Sequence, residues 1–322
     1  MLPDKDDLRI CCAHPAYQMH HEIAARNLGL HSFQVYAREE LPQELKKADV
    51  LVISGFWRNE LLDSAPKLKF IQSIGSGTDQ FDRDALRKRG MRLASAQGVN
   101  ERAVSQHAMA LMLAMARRLP EARDNQARHT WRGMISDLDH REDELSGKTL
   151  LILGLGRIGG RLAGLAKAFD MKVIGVRRNP EEGMNGADSV HPLDHLPQLL
   201  PQADFVTLTC PLTPETENII DAGAFARMRP SAILVNAARG RCVDEGALFN
   251  ALQQGQISGA ALDVTVEEPL ASSSPLWDLP NVFITPHTAG ETRRYEKNVV
   301  DILVENLEAL WRGGAILRNQ IV

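Results

Sequence analysis

The chain contains few of the residue types that are typical of a disulfide-rich or a membrane-bound protein. Of its 322 residues only four are cysteine, and aromatic residues make up 5% of the total. Four cysteines in a chain this long are no disulfide framework, and none of them stands in Cys-x-x-Cys spacing. This usage is typical of a protein from a reducing compartment. No apolar run reaches the roughly 18 residues needed to span a bilayer. These features argue against a secreted mini-domain and against a membrane protein.

The chain also lacks a large excess of positive or of negative charge. Lysine and arginine number 37 against 41 acidic residues, a formal net charge of −4. Such a balance gives no overall field that would attract nucleic acid or an anionic membrane. The opening residues, MLPDKDDLRI, are too charged for a signal peptide. No histidine or cysteine cluster has the spacing of a zinc site. We therefore expect a cytoplasmic protein that binds neither nucleic acid, membrane nor metal.

Short apolar, β-rich runs alternate along the chain with longer amphipathic stretches. Five runs lie in the first hundred residues and six lie beyond residue 148, at 8–13, 32–37, 49–54, 68–74, 91–95, 149–153, 172–176, 205–209, 232–236, 259–263 and 282–285. This alternation is typical of parallel sheets covered by helices, so the sequence predicts an α/β fold with two sheets.

Between the two sets of runs, residues 101–119 are nearly continuous in good helix formers and apolar on more than one face. We expect this helix to be buried between domains or between subunits, and a homodimer is predicted on that basis. The charged residues that follow, up to 145, are predicted to form a solvated loop.

A glycine-rich turn lies between the run at 149–153 and a helical stretch. It contains Gly154-x-Gly156-x-x-Gly159, and another apolar run follows at 172–176. In this arrangement the glycines permit a tight turn, close approach of a pyrophosphate and close helix–strand packing. The helix N-terminus then offers free N–H groups to the phosphates. The motif predicts dinucleotide binding.

The residues after the 172–176 run bear on which dinucleotide is bound. An acidic residue usually stands there in NAD sites, where it binds the ribose hydroxyls. This chain has Arg177 and Arg178 instead, which supply donors for a 2′-phosphate. The alternative is that both arginines are merely exposed or stack on adenine. We favour NADP over NAD.

Three further motifs follow in order: Asn236-Ala-Ala-Arg239-Gly240, Gly259-Ala-Ala-Leu-Asp263 running on to Glu268-Pro269, and Thr285-Pro286-His287. Together with the glycine turn they make the chain resemble the D-isomer-specific 2-hydroxyacid dehydrogenase family over essentially its whole length. The resemblance implies two Rossmann-like, doubly wound parallel-sheet domains. A dinucleotide-binding domain of residues 100–288 would be inserted into a substrate domain of residues 1–99 and 289–322.

Reduction of a 2-keto acid needs a cation for the carboxylate and carbonyl, a hydride donor and an acid that protonates the developing alkoxide. Arg239 offers a planar fork of donors, and His287 titrates near neutrality and can give or take the proton. Glu268 would pair with the far nitrogen of His287 and raise its pKa. The matching positions of the family carry these three catalytic roles.

The resemblance also implies the binding residues. Backbone N–H groups of Ser76 and Gly77 would join Arg239 in holding the substrate carboxylate. Phe56 and Trp57 either line the substrate pocket or belong to ordinary packing. Besides the glycines and the arginine pair, the cofactor would contact Arg157, Ile158, Cys210, Pro211, Thr216, Ala237, Asp263, His287 and Gly290.

The expected activity is hydride transfer between a nicotinamide cofactor and a small 2-keto acid or D-2-hydroxy acid, with glyoxylate or hydroxypyruvate reduction favoured. The alternatives are a phosphoglycerate dehydrogenase-like activity or, from a different class, a dinucleotide-sensing binding protein similar to the C-terminal-binding-protein corepressors.

Overall fold

The computed structural model describes residues 2–314 and 316–322, apart from the side chain of Asp139. The chain divides into two compact units. One comprises Met1–Asn100 with Thr292–Val322, and the other comprises Glu101–Glu291. The second unit is therefore inserted into the sequence of the first. The division falls after residues 100 and 291, where the resemblance placed it after residues 99 and 288.

Strands and helices alternate as the sequence predicts. The strands are β1 (Arg9–Ala13), β2 (His31–Val35), β3 (Val50–Ile53), β4 (Phe70–Ser73), β5 (Arg92–Ala94), β6 (Thr149–Leu153), β7 (Lys172–Val176), β8 (Ser189–His191), β9 (Phe205–Leu208), β10 (Ile233–Asn236), β11 (Gly259–Leu262) and β12 (Val282–Ile284). The α-helices are α1 (Met19–Ala25), α2 (Leu41–Glu44), α3 (Arg83–Lys88), α4 (Glu101–Ala116), α5 (Leu119–Ala127), α6 (Arg157–Ala168), α7 (Leu196–Leu199), α8 (Ala222–Phe225), α9 (Glu245–Gln253) and α10 (Tyr295–Trp311).

The first unit is built on a five-stranded parallel sheet of order β2-β1-β3-β4-β5. Successive side chains of a strand point to opposite faces. Leu51 and Ile53 of β3 accordingly join one hydrophobic cluster with residues of α2 and α3. Val50 and Val52 join another with residues of α1 and α10. Both faces of the sheet are covered, as in a doubly wound domain.

The second unit contains a seven-stranded parallel sheet of order β12-β11-β10-β9-β6-β7-β8. Its strands also alternate, since Leu151 and Leu153 of β6 join one cluster and Leu150 and Ile152 join another. The order reverses between β6 and β9, and ligands of such sheets bind at the carboxyl ends of the strands at this switch point. The predicted α/β fold with two parallel sheets is confirmed.

Three local predictions were wrong. The helix predicted for 101–119 ends at Ala116, and Arg118 has a φ of +51°. Pro120 lacks the N–H that a continuing helix would need. It stands near the start of a separate helix, α5, in a segment predicted to be loop. The short strand β8 was not predicted, because its three partly exposed residues include a serine and a histidine.

The burial expected for α4 between domains or between subunits stays a prediction, and part of its apolar surface is covered within the second unit. Ala108, Met112 and Ala116 of this helix join a cluster with residues of α6 and with Val235 of β10 and Ala261 of β11. The apolar surface of α4 is thus covered in part within its own unit, and it does not by itself argue for a subunit interface. In the described part of the chain no helix combines the length and apolarity needed to cross a membrane.

Candidate active site

The glycine-rich turn connects β6 to α6 at the switch point of the second sheet. Gly154 has a φ of +99°, and a Cβ there would lie 2.5 Å from the Cα of Cys210. A Cβ on Gly159 would lie 2.4 Å from the Gly154 carbonyl oxygen. Neither position tolerates a side chain, so both glycines are needed for the turn and for helix–strand packing.

Gly156 differs from these two glycines because a Cβ there would meet no atom within 4 Å. It is the N-cap of α6 and receives no side-chain cap. The first-turn N–H groups of a helix without a side-chain cap can bind a phosphate instead. Arg157 begins the helix and forms an ion pair with Glu101 at 3.2 Å, while Ile158 is half-buried. The turn fits the pyrophosphate of a dinucleotide.

The loop after β9 supplies the opposite side of this turn. Cys210 packs behind Gly154 and is 8% exposed. The pKa of its thiol lies well above the ordinary value, because the thiol forms a hydrogen bond with the free thiol of Cys242 and is buried. The Thr216 hydroxyl donates to the carbonyl oxygen of Pro211 at 2.7 Å and so closes the loop. The predicted residues here form one ordered segment.

The two arginines after β7 both have acidic partners. Arg177 contacts Glu182 through Nη2, and its side chain is 15% exposed. Arg178 lies 3.7 Å from Glu215, and both of these side chains are well exposed. The sequence placed the arginines correctly after the strand but did not predict either carboxylate.

A carboxylate and an imidazole from two loops of the second unit form a hydrogen-bonded pair. Oε2 of Glu268 lies 2.8 Å from Nδ1 of His287. Oε1 of Glu268 accepts a hydrogen bond from the Thr265 backbone N–H at 3.2 Å. With Nδ1 engaged, Nε2 is the ring nitrogen that can exchange a proton with a substrate.

This pairing shifts both pKa values. The hydrogen bond to Glu268 raises the pKa of His287, and the negative charges of Glu268 and Asp263 add to it, while burial and Arg239 oppose it. Burial acts to raise the pKa of Glu268, but the bond to His287 and the charges of His287 and Arg239 lower it overall. The imidazole therefore keeps its proton to higher pH, and the carboxylate stays ionised.

Arg239 follows β10 and is held by its own turn. The Asn236 side chain accepts from the Ala238 N–H and donates to the Arg239 carbonyl oxygen, both at 3.0 Å. Gly240 packs against the backbone of Thr265, where a Cβ would lie 2.0 Å from the carbonyl carbon. This close approach brings the Arg239 loop against the loop that carries Glu268. A guanidinium, an imidazole and a carboxylate are thus brought together.

Asp263, at the end of β11, anchors the loop that carries His287. Its buried carboxylate accepts from the Thr285 hydroxyl at 2.6 Å and from the Ala289 N–H at 3.1 Å. Its carbonyl oxygen accepts from the His287 N–H at 2.8 Å. His287 itself has a φ of +56°, a conformation that the surrounding hydrogen bonds must hold.

His107 of α4 adds to this anchor. Its Nε2 lies 2.9 Å from the Thr285 hydroxyl and 3.4 Å from the Asp263 carboxylate. Sequence analysis missed His107 because one histidine in an apolar helix is a weak signal. It also missed that Asn236 holds the turn before Arg239, although an asparagine that ends a strand just before the arginine is a recognisable sequence signal.

The remaining predicted residues are placed as follows. Ala237 lies after β10, and Gly290 follows the anchored His287 loop. Ser76 and Gly77 lie after β4 in the first unit, where the Ser76 hydroxyl lies 3.3 Å from Oδ1 of Asn100. Their role in binding substrate stays a prediction. Trp57 is 1% exposed and packs on Phe81, so of the two roles considered for it, pocket lining and ordinary packing, the structure favours packing in the core.

Comparison with known proteins assigns the chain to a family. Residues 109–289 match the family described as D-isomer specific 2-hydroxyacid dehydrogenase, NAD binding domain. The chain is 37% identical over 298 residues to the glyoxylate/hydroxypyruvate reductase B of Yersinia enterocolitica, covering 91% of each protein. The chain belongs to the D-isomer specific 2-hydroxyacid dehydrogenase family, whose members are oxidoreductases that act on CH–OH donors.

Two further relatives have narrower names. The D-3-phosphoglycerate dehydrogenase of Methanocaldococcus jannaschii is 38% identical over 279 residues, which are 86% of this chain, and the chain spans about half (52%) of that relative's length. The NADPH-dependent glyoxylate/hydroxypyruvate reductase of Sinorhizobium meliloti, solved with NADP and malonate, is 26% identical with a TM-score of 0.82. The match covers 98% of this chain and 97% of that one.

Proposed function

We propose that this protein reduces a small 2-keto acid, of the glyoxylate or hydroxypyruvate type, to the D-2-hydroxy acid with a nicotinamide cofactor. The observation that carries the proposal is the Glu268–His287 pair at 2.8 Å with Arg239 on the adjoining loop. The reductases of Y. enterocolitica and S. meliloti support the substrate class.

Each residue of this group has a task in the reaction. Arg239 holds the substrate carboxylate and stabilises negative charge at the carbonyl oxygen. When bound, the nicotinamide supplies the hydride that adds to the carbonyl carbon. His287 gives its Nε2 proton to the carbonyl oxygen, and Glu268 fixes the ring orientation and favours the protonated imidazole. The carbonyl thereby gains one hydride and one proton and becomes the hydroxyl group.

The first experiment is steady-state kinetics with glyoxylate, hydroxypyruvate, pyruvate and longer keto acids, each with NADH and NADPH. We expect the highest kcat/KM with glyoxylate or hydroxypyruvate. Higher efficiency with 3-phosphoglycerate or its keto acid would favour the alternative suggested by the M. jannaschii relative. Absence of turnover with every keto acid would instead support a nucleotide-sensing binding protein.

We also propose that NADPH is preferred over NADH. Arg177 and Arg178 stand where a ribose-binding acid would otherwise be expected, and the S. meliloti reductase is named as NADPH-dependent. Charge-assisted hydrogen bonds to a phosphate are shorter and stronger than those to a neutral hydroxyl. The preference is tested by comparing kcat/KM for the two cofactors. An equal or higher value with NADH would overturn it.

A homodimer in a cytoplasmic setting completes the proposal. The four cysteines are all free and buried, which suits a reducing compartment. The segment after α4 exposes Trp131 (99%) and Met134 (101%). Large exposed apolar side chains on one segment mark a surface that another molecule covers. Light scattering at micromolar concentration should give twice the 35.6 kDa chain mass, and Trp131→Arg should lower it. The chain mass alone would contradict the dimer.

A further inference from the structure

The guanidinium of Arg177 is already engaged by a carboxylate of its own segment. Nη2 of Arg177 contacts Oε2 of Glu182, and Oε1 of Glu182 accepts from the Asn179 side-chain amide at 3.0 Å. Glu182 ends a 3-10 turn that begins at Pro180, separated from the arginine pair by one residue. Two donors thus fix this carboxylate beside the residue that we expect to bind the 2′-phosphate.

Arg177 is only partly satisfied by this pairing. Its Nη1 is buried and has no hydrogen-bond partner among the described residues. A buried donor without an acceptor is unfavourable, more so on a charged group. A phosphate group, with three oxygens, can serve more of the donors of a guanidinium than one carboxylate oxygen does. The present pairing is therefore one that a better acceptor can replace.

The second arginine is held much more loosely. Arg178 is 75% exposed and Glu215 is 60% exposed, with 3.7 Å between their charged atoms. An exposed pair of this length contributes little, because water and salt screen it. By contrast, the Arg177 side chain is 15% exposed and in direct contact with Glu182. Glu182 therefore holds its arginine more firmly than Glu215 does.

We infer that Glu182 is a specificity-determining residue for the cofactor, because it occupies on Arg177 the place that the 2′-phosphate of NADPH would take. The inference rests on the proposed nicotinamide site. NADPH must displace the carboxylate and meets its negative charge, whereas NADH leaves the Arg177–Glu182 pair intact. Glu182 thus limits the NADPH preference and lets NADH bind without leaving Arg177 unpaired.

The test is Glu182→Gln, which keeps the side-chain size and one oxygen that can accept from the Asn179 amide but removes the negative charge. Binding of NADPH and NADH is measured by nucleotide fluorescence without substrate, and kcat/KM is measured with both. We expect the ratio of NADPH affinity to NADH affinity, and the same ratio of kcat/KM values, to rise about tenfold. This is the change in affinity that roughly one charge-assisted hydrogen bond produces. Added salt should weaken NADPH binding more steeply in the variant, because its arginine is no longer neutralised locally.

Matched variants separate this effect from a general change in charge. Glu181→Gln removes a neighbouring exposed carboxylate and should leave the ratio unchanged, and Glu215→Gln should change it by less than about threefold. In an Arg177→Gln background, Glu182→Gln should change the ratio by less than about threefold, because only the direct repulsion between an exposed carboxylate and the phosphate is left. An unchanged ratio in Glu182→Gln, or an effect of the same size without Arg177, would overturn this inference and leave the proposed function standing. If the unmodified protein binds neither nucleotide, the proposed function fails with it.

Discussion

Replacement of Gly240 by alanine should separate the two loops that carry Arg239 and Glu268 of the proposed catalytic group. A Cβ at this position would lie 2.0 Å from the carbonyl carbon and oxygen of Thr265 and 2.4 Å from the backbone nitrogen of Val266. All three are backbone atoms, so no side-chain rotation can relieve the contact. The Thr265 segment is also tied to Glu268 through its N–H. One loop must therefore move.

The size of the effect follows from this geometry. Overpacking of a tight contact costs about 1–3 kcal/mol, and a domain of this size loses roughly 2–4 °C in Tm per kcal/mol. We therefore expect Tm to fall by roughly 2–12 °C. Because Arg239 precedes Gly240 and Glu268 follows Thr265, a shift of about 1 Å should also lower kcat/KM by about 10²-fold.

Thermal unfolding and steady-state kinetics of Gly240→Ala test both expectations. The control is Gly246→Ala in α9, where a Cβ would meet only a side-chain oxygen of Asp244 at 3.4 Å. The control should keep its activity and gain slightly in stability, because alanine favours helix over glycine by roughly 1 kcal/mol. A Gly240→Ala protein with unchanged Tm and unchanged kcat/KM would refute the packing argument.

Three other variants test the catalytic group and its anchor. His287→Ala should lower kcat for keto-acid reduction by about 10²–10⁴-fold, and a near-normal rate would show that the proton donor is misassigned. Glu268→Gln removes the carboxylate charge that helps to raise the pKa of His287 and weakens the hydrogen bond to it, so reduction should decline at a lower pH than in the unmodified enzyme. A pH–rate profile that does not move would contradict this role. His107→Ala should lower kcat with little change in KM and should shift the same pH–rate profile. The reason is that Thr285, which bonds to Asp263, loses its 2.9 Å hydrogen bond to Nε2 of His107. His129→Ala, on an exposed position, is its control and should match the unmodified enzyme.

Much of the fold was predictable because its signals are local. Apolar runs such as 149–153 and 205–209 mark buried parallel strands, since both faces of such strands are covered. The turn at Gly154 and Gly159 was predictable because its steric demands act between residues that are near in sequence or on the adjacent strand. By contrast, the end of α4 depends on Arg118 adopting a positive φ before Pro120, and the helix-former pattern of 101–119 hid that break.

The sequence by itself determined the α/β class and the glycine turn, and it pointed to Arg239, Glu268 and His287 as the proposed catalytic residues, because residue types in a fixed order and spacing indicate that chemistry. Only the tertiary structure decided how these groups are held and balanced. His107 reaches Thr285 across 178 residues, and no pattern within a helix indicates a contact that distant. Likewise, only the folded turn after β7 places Glu182 on Arg177. Charge pairing depends on distance and burial, and folding sets both.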